Sequence, residues 1–304
     1  MQPQRKGSGG AAPHPAPVRG AGGRACSAGF RALFAGRGGN RPSLPAFCLA
    51  VLLAIAAPAA DGPSYELAGF RNASNLSQGP FAPNTVVSVY GTGLAWSTYS
   101  LTSADIASGY LPTTLNGVQV TVNDVPAPLF MVSAGQVNFL MPTNLLAGSV
   151  AVRVVRQGVA GPDTAISVQD AAPALYPLPE APGYAIAQRW PEYSLITPSV
   201  PIAPGDIVIL YAAGLGRTRP YPSQASEIPA YAALLEALPS FRVYLDGKAL
   251  DASKVLYAGL APGWASLYQV NLVLPEDVGP DPEIRLAVGN QTSRAGVRLA
   301  VQSR

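Results

Sequence analysis

The densest group of potential metal ligands in this sequence is a cluster of carboxylates near its C-terminal end. Glu276, Asp277, Asp281 and Glu283 all fall within the run PEDVGPDPE. Carboxylate oxygens are the ligands that calcium prefers, but this spacing matches no EF-hand loop, and the prolines stiffen the run. We therefore predict a solvated turn between strands and no resident metal, with a calcium site at these four residues as the alternative.

Two groups of loop aromatics offer a second chemistry, the stacking of an aromatic ring against a sugar. Trp96 and Tyr99 form one pair, and Trp190 and Tyr193 form the other, with Arg189 beside them. Loops carry much of the binding function of folded domains, but loop aromatics also bury apolar surface at the ends of a sandwich. The hypothesis is a glycan site at either pair, against the alternative that the rings only cover the core.

Missing residue types exclude the catalytic mechanisms that depend on histidine or cysteine. His14, Cys26 and Cys48 are the sole histidine and cysteines of the chain, and all three precede residue 60. The remaining region can therefore form no disulfide, no Ser-His-Asp triad, no Cys-His pair and no zinc site built on histidine or cysteine. We predict no catalytic residue, no cofactor and no enzymatic activity. The alternative that stays open is a glycoside hydrolase that works with carboxylates alone.

The first 60 residues predict export. Residues 1–43 are basic and contain no acid, an apolar run follows from Leu44, and Ala57-Pro58-Ala59 supplies small residues for cleavage after Ala59. This order is typical of a secretory signal, although the basic part is long enough to suggest a true start downstream of Met1. The prediction is an extracytoplasmic protein that is secreted, periplasmic or on the cell surface. An uncleaved signal anchor is the alternative, and it would be the protein's membrane contact.

Removing the leader reverses the charge of the chain. Residues 1–59 hold seven of the 20 Lys and Arg residues and none of the 17 Asp and Glu residues, so the charge changes from +3 to −4. A negative chain has no electrostatic attraction for nucleic acid, and no nucleic-acid partner is predicted.

The rest of the sequence has the pattern of short strands separated by turns. Val118, Val120 and Val122 alternate with polar residues, and Asn123-Asp124 then supplies a hairpin turn. Only Tyr231–Leu238 has a helical pattern, which predicts a short helical insert near 230–238. Strands are predicted near Thr85–Tyr90, Val118–Val122, Pro128–Val132, Gln136–Leu140, Val150–Val155, Thr164–Val168, Ile207–Tyr211, Phe241–Leu245, Lys254–Tyr257, Leu267–Leu274, Ile284–Val288 and Gly296–Val301.

Two phrases occur twice and indicate an internal repeat. Residues 82–95 read APNTVVSVYGTGLA and residues 203–216 read APGDIVILYAAGLG, while the triplet QVN occurs at 136–138 and at 269–271. The first phrase predicts a buried strand followed by a glycine corner. The polar pair in QVN could contact a ligand, or it could tie the strand to a neighbouring loop. We predict two β-sandwiches, at 61–170 and 171–304, with any ligand site in a segment where the copies differ.

These phrases resemble known proteins. The first phrase is similar to the opening of an IPT/TIG domain, an immunoglobulin-like sandwich. The segments FRNASN, LPTTLNGVQVTVNDVPAPLFMVSAGQVNFLMP and YAGLAPGWASLYQVNLVLP, together with the second copy, resemble an uncharacterised acidobacterial C-terminal-domain family of paired modules. The resemblance implies an all-β fold of two tandem immunoglobulin-like sandwiches, in an exported bacterial protein, and it implies no activity.

The function predicted from these observations is a non-catalytic adhesion, interaction or assembly module at the cell envelope. Its partner would be an unidentified protein or glycan. The alternative within binding proteins is a carbohydrate-binding module that uses the loop aromatics.

Overall fold

The structure, a computed structural model, describes residues 61–107, 109–220 and 226–303. The predicted leader, with its signal and its cleavage after Ala59, lies outside the described residues. Within the described ranges no helix has the length and the apolar character that a membrane crossing requires.

Alternating burial along the chain builds the first half. Val118, Val120 and Val122 are buried while Gln119 between them is exposed, because successive side chains of a strand point to opposite faces. The strands of this half are β1 (Ser64–Asn72), β2 (Val86–Thr92), β3 (Tyr99–Ser100), β4 (Thr114–Leu115), β5 (Val118–Val122), β6 (Val125–Ala127), β7 (Leu129–Val132), β8 (Gln136–Leu140), β9 (Gly148–Arg156), β10 (Val159–Ala160) and β11 (Thr164–Val168).

These strands form two antiparallel sheets around one core. Sheet A has the order β1-β2-β8-β7-β3, and sheet B has the order β10-β9-β5-β4, with β11 on β9 and β6 on β5. Val89 and Phe139 of sheet A share a buried cluster with Val120 and Val154 of sheet B. The chain passes repeatedly from one sheet to the other, so this half is an immunoglobulin-like β-sandwich.

The second half repeats this arrangement with more strands. They are β12 (Ala174–Leu175), β13 (Pro177–Leu178), β14 (Ala181–Ala185), β15 (Ala187–Arg189), β16 (Ser194–Leu195), β17 (Ile207–Ala213), β18 (Thr218–Arg219), β19 (Ala233–Leu235), β20 (Phe241–Leu245), β21 (Lys248–Ala249), β22 (Val255–Leu260), β23 (Tyr268–Val273), β24 (Ile284–Val288) and β25 (Gln291–Thr292). Three short 3-10 helices also occur among the described residues, at Ser103–Asp105, Leu238–Ser240 and Ala252–Lys254.

A second core lies between the two main sheets of this half. Sheet C has the order β16-β15-β17-β23-β22-β19-β18, with β12 on β17, and sheet D has the order β21-β20-β24-β25. Leu210 and Val270 of sheet C share a buried cluster with Val243 and Leu286 of sheet D. The chain therefore folds as two tandem immunoglobulin-like sandwiches and is nearly all β.

The repeated phrases occupy equivalent places in the two sandwiches. In the first, Tyr90 of β2 lies opposite Gln136 of β8, and in the second, Tyr211 of β17 lies opposite Gln269 of β23. The glycine corner after the strand is also confirmed, because Gly93 and Gly214 both have a positive φ, of 64° and 70°.

A third apolar cluster joins the two sandwiches. Its buried members are Leu111 and Leu140 of the first half and Ala265 of the second, and Ile228 packs against them. Hydrogen bonds run beside it, from the Leu111 amide to the carbonyl of Ser226 (2.7 Å) and from the Ile228 amide to the carbonyl of Gly109 (2.8 Å).

Two predicted elements are wrong. The segment Tyr231–Leu238 does not form the helical insert near 230–238, because Ala233–Leu235 pairs as a strand with β18 and β22. Tertiary pairing thus overrides the helix propensity of alanine and leucine. The segment Gly296–Val301 makes isolated bridges, through Arg298 and Val301, and not a continuous strand.

Candidate functional site

An open groove lies on the outer face of sheet C, the face that points away from the core. The centre of this face is the pair formed by Tyr211 on β17 and Gln269 on β23, which are direct cross-strand partners. Their neighbours along the strands, Leu210 and Val270, point inward and are buried, so alternation places the tyrosine and the glutamine outward.

Hydrogen bonds hold the polar groups of the groove in fixed positions. The Tyr211 hydroxyl donates to Oε1 of Gln188 (2.6 Å), and Nε2 of Gln188 donates to the carbonyl of Tyr193 (2.8 Å). Nε2 of Gln269 donates to Oδ1 of Asn271 (2.9 Å). A side-chain amide carries two donor hydrogens and an acceptor oxygen, so these groups can bond a ligand in addition to each other.

The loop between β22 and β23 forms one wall of the groove and carries its largest aromatic ring. The Ala261 amide donates to the carbonyl of Leu267 (2.8 Å), and the Trp264 amide donates to the carbonyl of Ala261 (3.1 Å), which closes the loop. The Trp264 side chain is 61% exposed. The groove has a volume of about 460 Å³, and its lining consists of Tyr176, Ile186, Gln188, Leu195, Tyr211, Ala261, Pro262, Trp264, Leu267 and Gln269.

The groove is electrically neutral. Its lining contains no Asp, Glu, Lys, Arg, His or Cys. Burial raises the pKa of the Tyr176 phenol, and burial together with the nearby Tyr193 raises the pKa of the Tyr211 phenol. Both hydroxyls therefore stay protonated at neutral pH. This arrangement can donate and accept hydrogen bonds and can pack against apolar surface. Its lining supplies no carboxylate, imidazole, amine or thiol to act as a general acid, a general base or a nucleophile.

Trp96 and Tyr99, predicted as a possible glycan platform, have separate partners. The Trp96 ring lies under the guanidinium of Arg156, 3.8 Å from its centroid, and Nε1 of Trp96 donates to Oε1 of Gln157 (3.0 Å). The Tyr99 hydroxyl donates to the carboxylate of Asp105 (3.0 Å). Arg156 covers one face of the indole, so the first pair does not present two free rings side by side.

Trp190 and Tyr193 do meet, but not as a flat platform. Their ring centroids lie 5.3 Å apart with an interplanar angle of 77°, which is an edge-to-face contact. Arg189 has partners outside the aromatic pair, because it donates to the carbonyl of Pro201 (2.9 Å) and pairs with Asp206 (3.6 Å). This pair lies next to the groove, since the carbonyl of Tyr193 accepts from Gln188.

The predicted calcium candidates have different partners. Asp277 faces Lys248 at 3.8 Å, Asp281 accepts from the Tyr184 hydroxyl at 3.1 Å, and Glu283 accepts from the Gly296 amide at 3.2 Å. Glu276 lies beside Gly205. Within the described ranges, no three side chains of the types His, Cys, Asp and Glu are placed to share a metal ion.

In each copy of the repeated triplet, the glutamine donates to the asparagine two residues later in the same strand. Nε2 of Gln136 donates to Oδ1 of Asn138 at 2.9 Å, the distance found for Gln269 and Asn271 in the second sandwich. Nε2 of Gln136 also lies 3.4 Å from Oγ of Ser88 on the neighbouring strand β2, so the first pair contacts an adjacent strand as well. The two pairs form an amide strip on the outer face of each sheet.

Sequence reasoning missed Trp264, and one signal could have found it. The connection between β7 and β8 spans residues 133–135, while the equivalent connection between β22 and β23 spans 261–267. The longer loop of the second copy is what carries the tryptophan. A site in a segment where the copies differ was expected, but the aromatic residues predicted for it were Trp96, Tyr99, Trp190 and Tyr193.

Comparisons with known proteins give distant likenesses. No family model matches the sequence, and no curated protein matches it either. Among solved structures, the Bacteroides ovatus mixed-linkage glucan utilization locus protein SGBP-B, in complex with a mixed-linkage heptasaccharide, is 6% identical over 74% of this chain, with a TM-score of 0.29. This chain spans 43% of that protein's length.

Two further structures align over most of this chain. Domains 5–6 of the S-layer protein SbsC are 12% identical over 79% of this chain and 99% of theirs, with a TM-score of 0.22. The tandem Ig repeats of Dlar are 12% identical over 73% of this chain and 92% of theirs, with a TM-score of 0.19.

Proposed function

We propose that this protein is a non-catalytic, extracytoplasmic binding module whose groove on sheet C holds a neutral carbohydrate. The observation that carries the proposal is the meeting of an exposed indole, two tyrosines and two fixed amides in one uncharged groove. A sugar ring has an apolar face that packs on an aromatic ring and hydroxyls that both donate and accept hydrogen bonds. Trp264 would supply the first contact, and Gln269 with Tyr211 would supply the second.

The neutral lining favours binding over hydrolysis at this groove. Glycoside hydrolysis needs a pair of carboxyl groups roughly 5–10 Å apart on either side of the bond that is cut. The groove lining contributes none. The same neutrality favours sugars without carboxylate or sulfate groups, because an anion would lose its hydration here without gaining a cationic partner.

The test is a glycan array, followed by calorimetric titration of the neutral oligosaccharides that bind. Trp264→Ala should weaken binding by about 2 kcal/mol, roughly 30-fold, because it removes the largest aromatic contact surface of the groove and tryptophan is among the residues whose truncation costs a binding site most. Gln269→Ala should weaken it less.

Trp96→Ala is the matched control, since it removes an exposed tryptophan of the first sandwich that does not line the groove. It should bind as the wild type does. The proposal fails if no neutral sugar binds at millimolar concentration, or if binding survives Trp264→Ala and is lost in Trp96→Ala.

A further inference from the structure

We infer that the groove of the second sandwich needs the first sandwich for its shape, because the first sandwich positions the loop that carries Trp264. The inference rests on the proposed function for its consequence in binding, but its structural part can be tested without a ligand. Leu111 and Leu140 are the positioning residues, and neither lines the groove.

Packing supplies the first connection. Ala265, the neighbour of Trp264, is buried in the cluster shared with Leu111 and Leu140 of the first sandwich. Leu140 ends β8, whose outward residues Gln136 and Asn138 form the amide strip of the first sandwich. The buried side of the Trp264 loop therefore rests on the outer face of sheet A, while the exposed indole faces the groove.

A series of backbone hydrogen bonds through segment 226–229 supplies the second connection. The first sandwich binds segment 226–228 through the bonds from Leu111 to Ser226 and from Ile228 to Gly109, and through a bridge between Tyr110 and Glu227. The carbonyl of Pro229 then accepts from the Gly263 amide at 2.8 Å, one residue before Trp264.

These two connections hold the loop at Gly263 and at Ala265, the residues directly before and after Trp264. A loop held in its binding conformation loses less entropy when a ligand arrives, so fixing it raises affinity without any new contact to the ligand. The shorter connection of the first copy, residues 133–135, contains no equivalent of Trp264. The junction, by which we mean the shared cluster of Leu111, Leu140 and Ala265 together with segment 226–228, therefore supports the longer loop that carries Trp264.

The test compares two leucine truncations in the first sandwich. Leu111→Ala removes a buried contact at the junction, whereas Leu129→Ala removes a buried contact in the core of the first sandwich alone. Both are made with Trp96→Phe and Trp190→Phe, which leaves Trp264 as the single tryptophan of the three in the chain. Time-resolved fluorescence anisotropy without ligand then reports the nanosecond motion of that ring.

Leu111→Ala should raise the fast depolarisation of Trp264, and Leu129→Ala should leave it at the level of the reference protein. Equal motion in the two variants overturns the inference. If the alanine variants do not fold, Leu111→Val and Leu129→Val make the same comparison with a smaller truncation.

Sugar titration separates this inference from the proposed function. Leu111→Ala should weaken binding by roughly 2- to 30-fold, the range for coupling through a packed network. Binding that is lost in Trp264→Ala but unchanged in Leu111→Ala overturns the inference and leaves the proposed function standing. If the Leu111→Ala variant shows faster motion of Trp264 but the wild type binds no sugar, the positioning role is supported and the proposed function is overturned.

Discussion

At the scale of single residues, the repeated phrase has a steric reason for its glycines. Gly214 has a φ of 70°, and a Cβ built on it would overlap the carbonyl oxygen of Ala172. Ala172 lies in the linker, the segment 169–173 between the last strand of the first sandwich, β11, and the first strand of the second, β12. Gly247 has a similar φ of 76°, but a Cβ there would meet no atom within 4 Å. An alanine at Gly247 would therefore report only the free-energy cost of a positive φ, whereas an alanine at Gly214 would report that cost together with the steric overlap.

Gly214→Ala should lower the free energy of unfolding by on the order of 3 kcal/mol, because backbone strain and overlap add at that position. Gly247→Ala should cost about 1 kcal/mol, which is the strain alone. Urea denaturation of the two variants beside the wild type measures both. Equal losses would mean that the linker yields at Ala172 and that the close approach has no energetic weight.

At the scale of elements, the segment Ala233–Leu235 shows how pairing overrides local preference. Leu235 is buried and Leu234 is 46% exposed, as expected for a strand whose neighbours point to opposite faces. Its partners are β18 on one side and β22 on the other, so its backbone groups are bonded along both edges.

Leu235→Ala should lower the free energy of unfolding by about 2–4 kcal/mol, since it leaves a cavity in the second core. Leu234→Ala, the same change one residue earlier, should stay within about 0.5 kcal/mol of the wild type. Thermal or urea denaturation checks the pair. A large loss at Leu234 with a small one at Leu235 would contradict the strand and its facing.

Strands with regular alternation could be predicted from the sequence, and the irregular ones could not. Val118–Val122 and Gln136–Leu140 were predicted with the bounds observed. Strand β1 was missed because its pairing shifts register between Tyr65 and Phe70, which interrupts the period of two. The groove was missed for another reason. Gln188, Tyr211 and Trp264 are far apart in the sequence, and they come together only because of the register of β15, β17 and β23 and the position of the loop between β22 and β23.

At the scale of the whole molecule, the junction decides whether the sandwiches act independently. Domains within one chain move relative to each other unless their interface is extensive and apolar. Here a buried cluster, two backbone hydrogen bonds and the bond from Arg217 to the carbonyl of Leu145 (3.2 Å) connect the halves. Arg217 also pairs with Asp170 of the linker at 3.3 Å. These contacts span several segments of each half, and the described chain from residue 61 onward forms one compact unit.

We expect the two sandwiches to unfold in one transition, with equal calorimetric and van't Hoff enthalpies. Ile228→Asp should split it into two, because a carboxylate beside the shared cluster must stay hydrated and will oppose the contact. Leu256→Asp is the matched control, since Leu256 is 55% exposed on β22 and lies outside that cluster. It should keep a single transition. Two transitions in the wild type would contradict the coupling, and they would also remove the physical basis for a Trp264 loop that depends on the first sandwich.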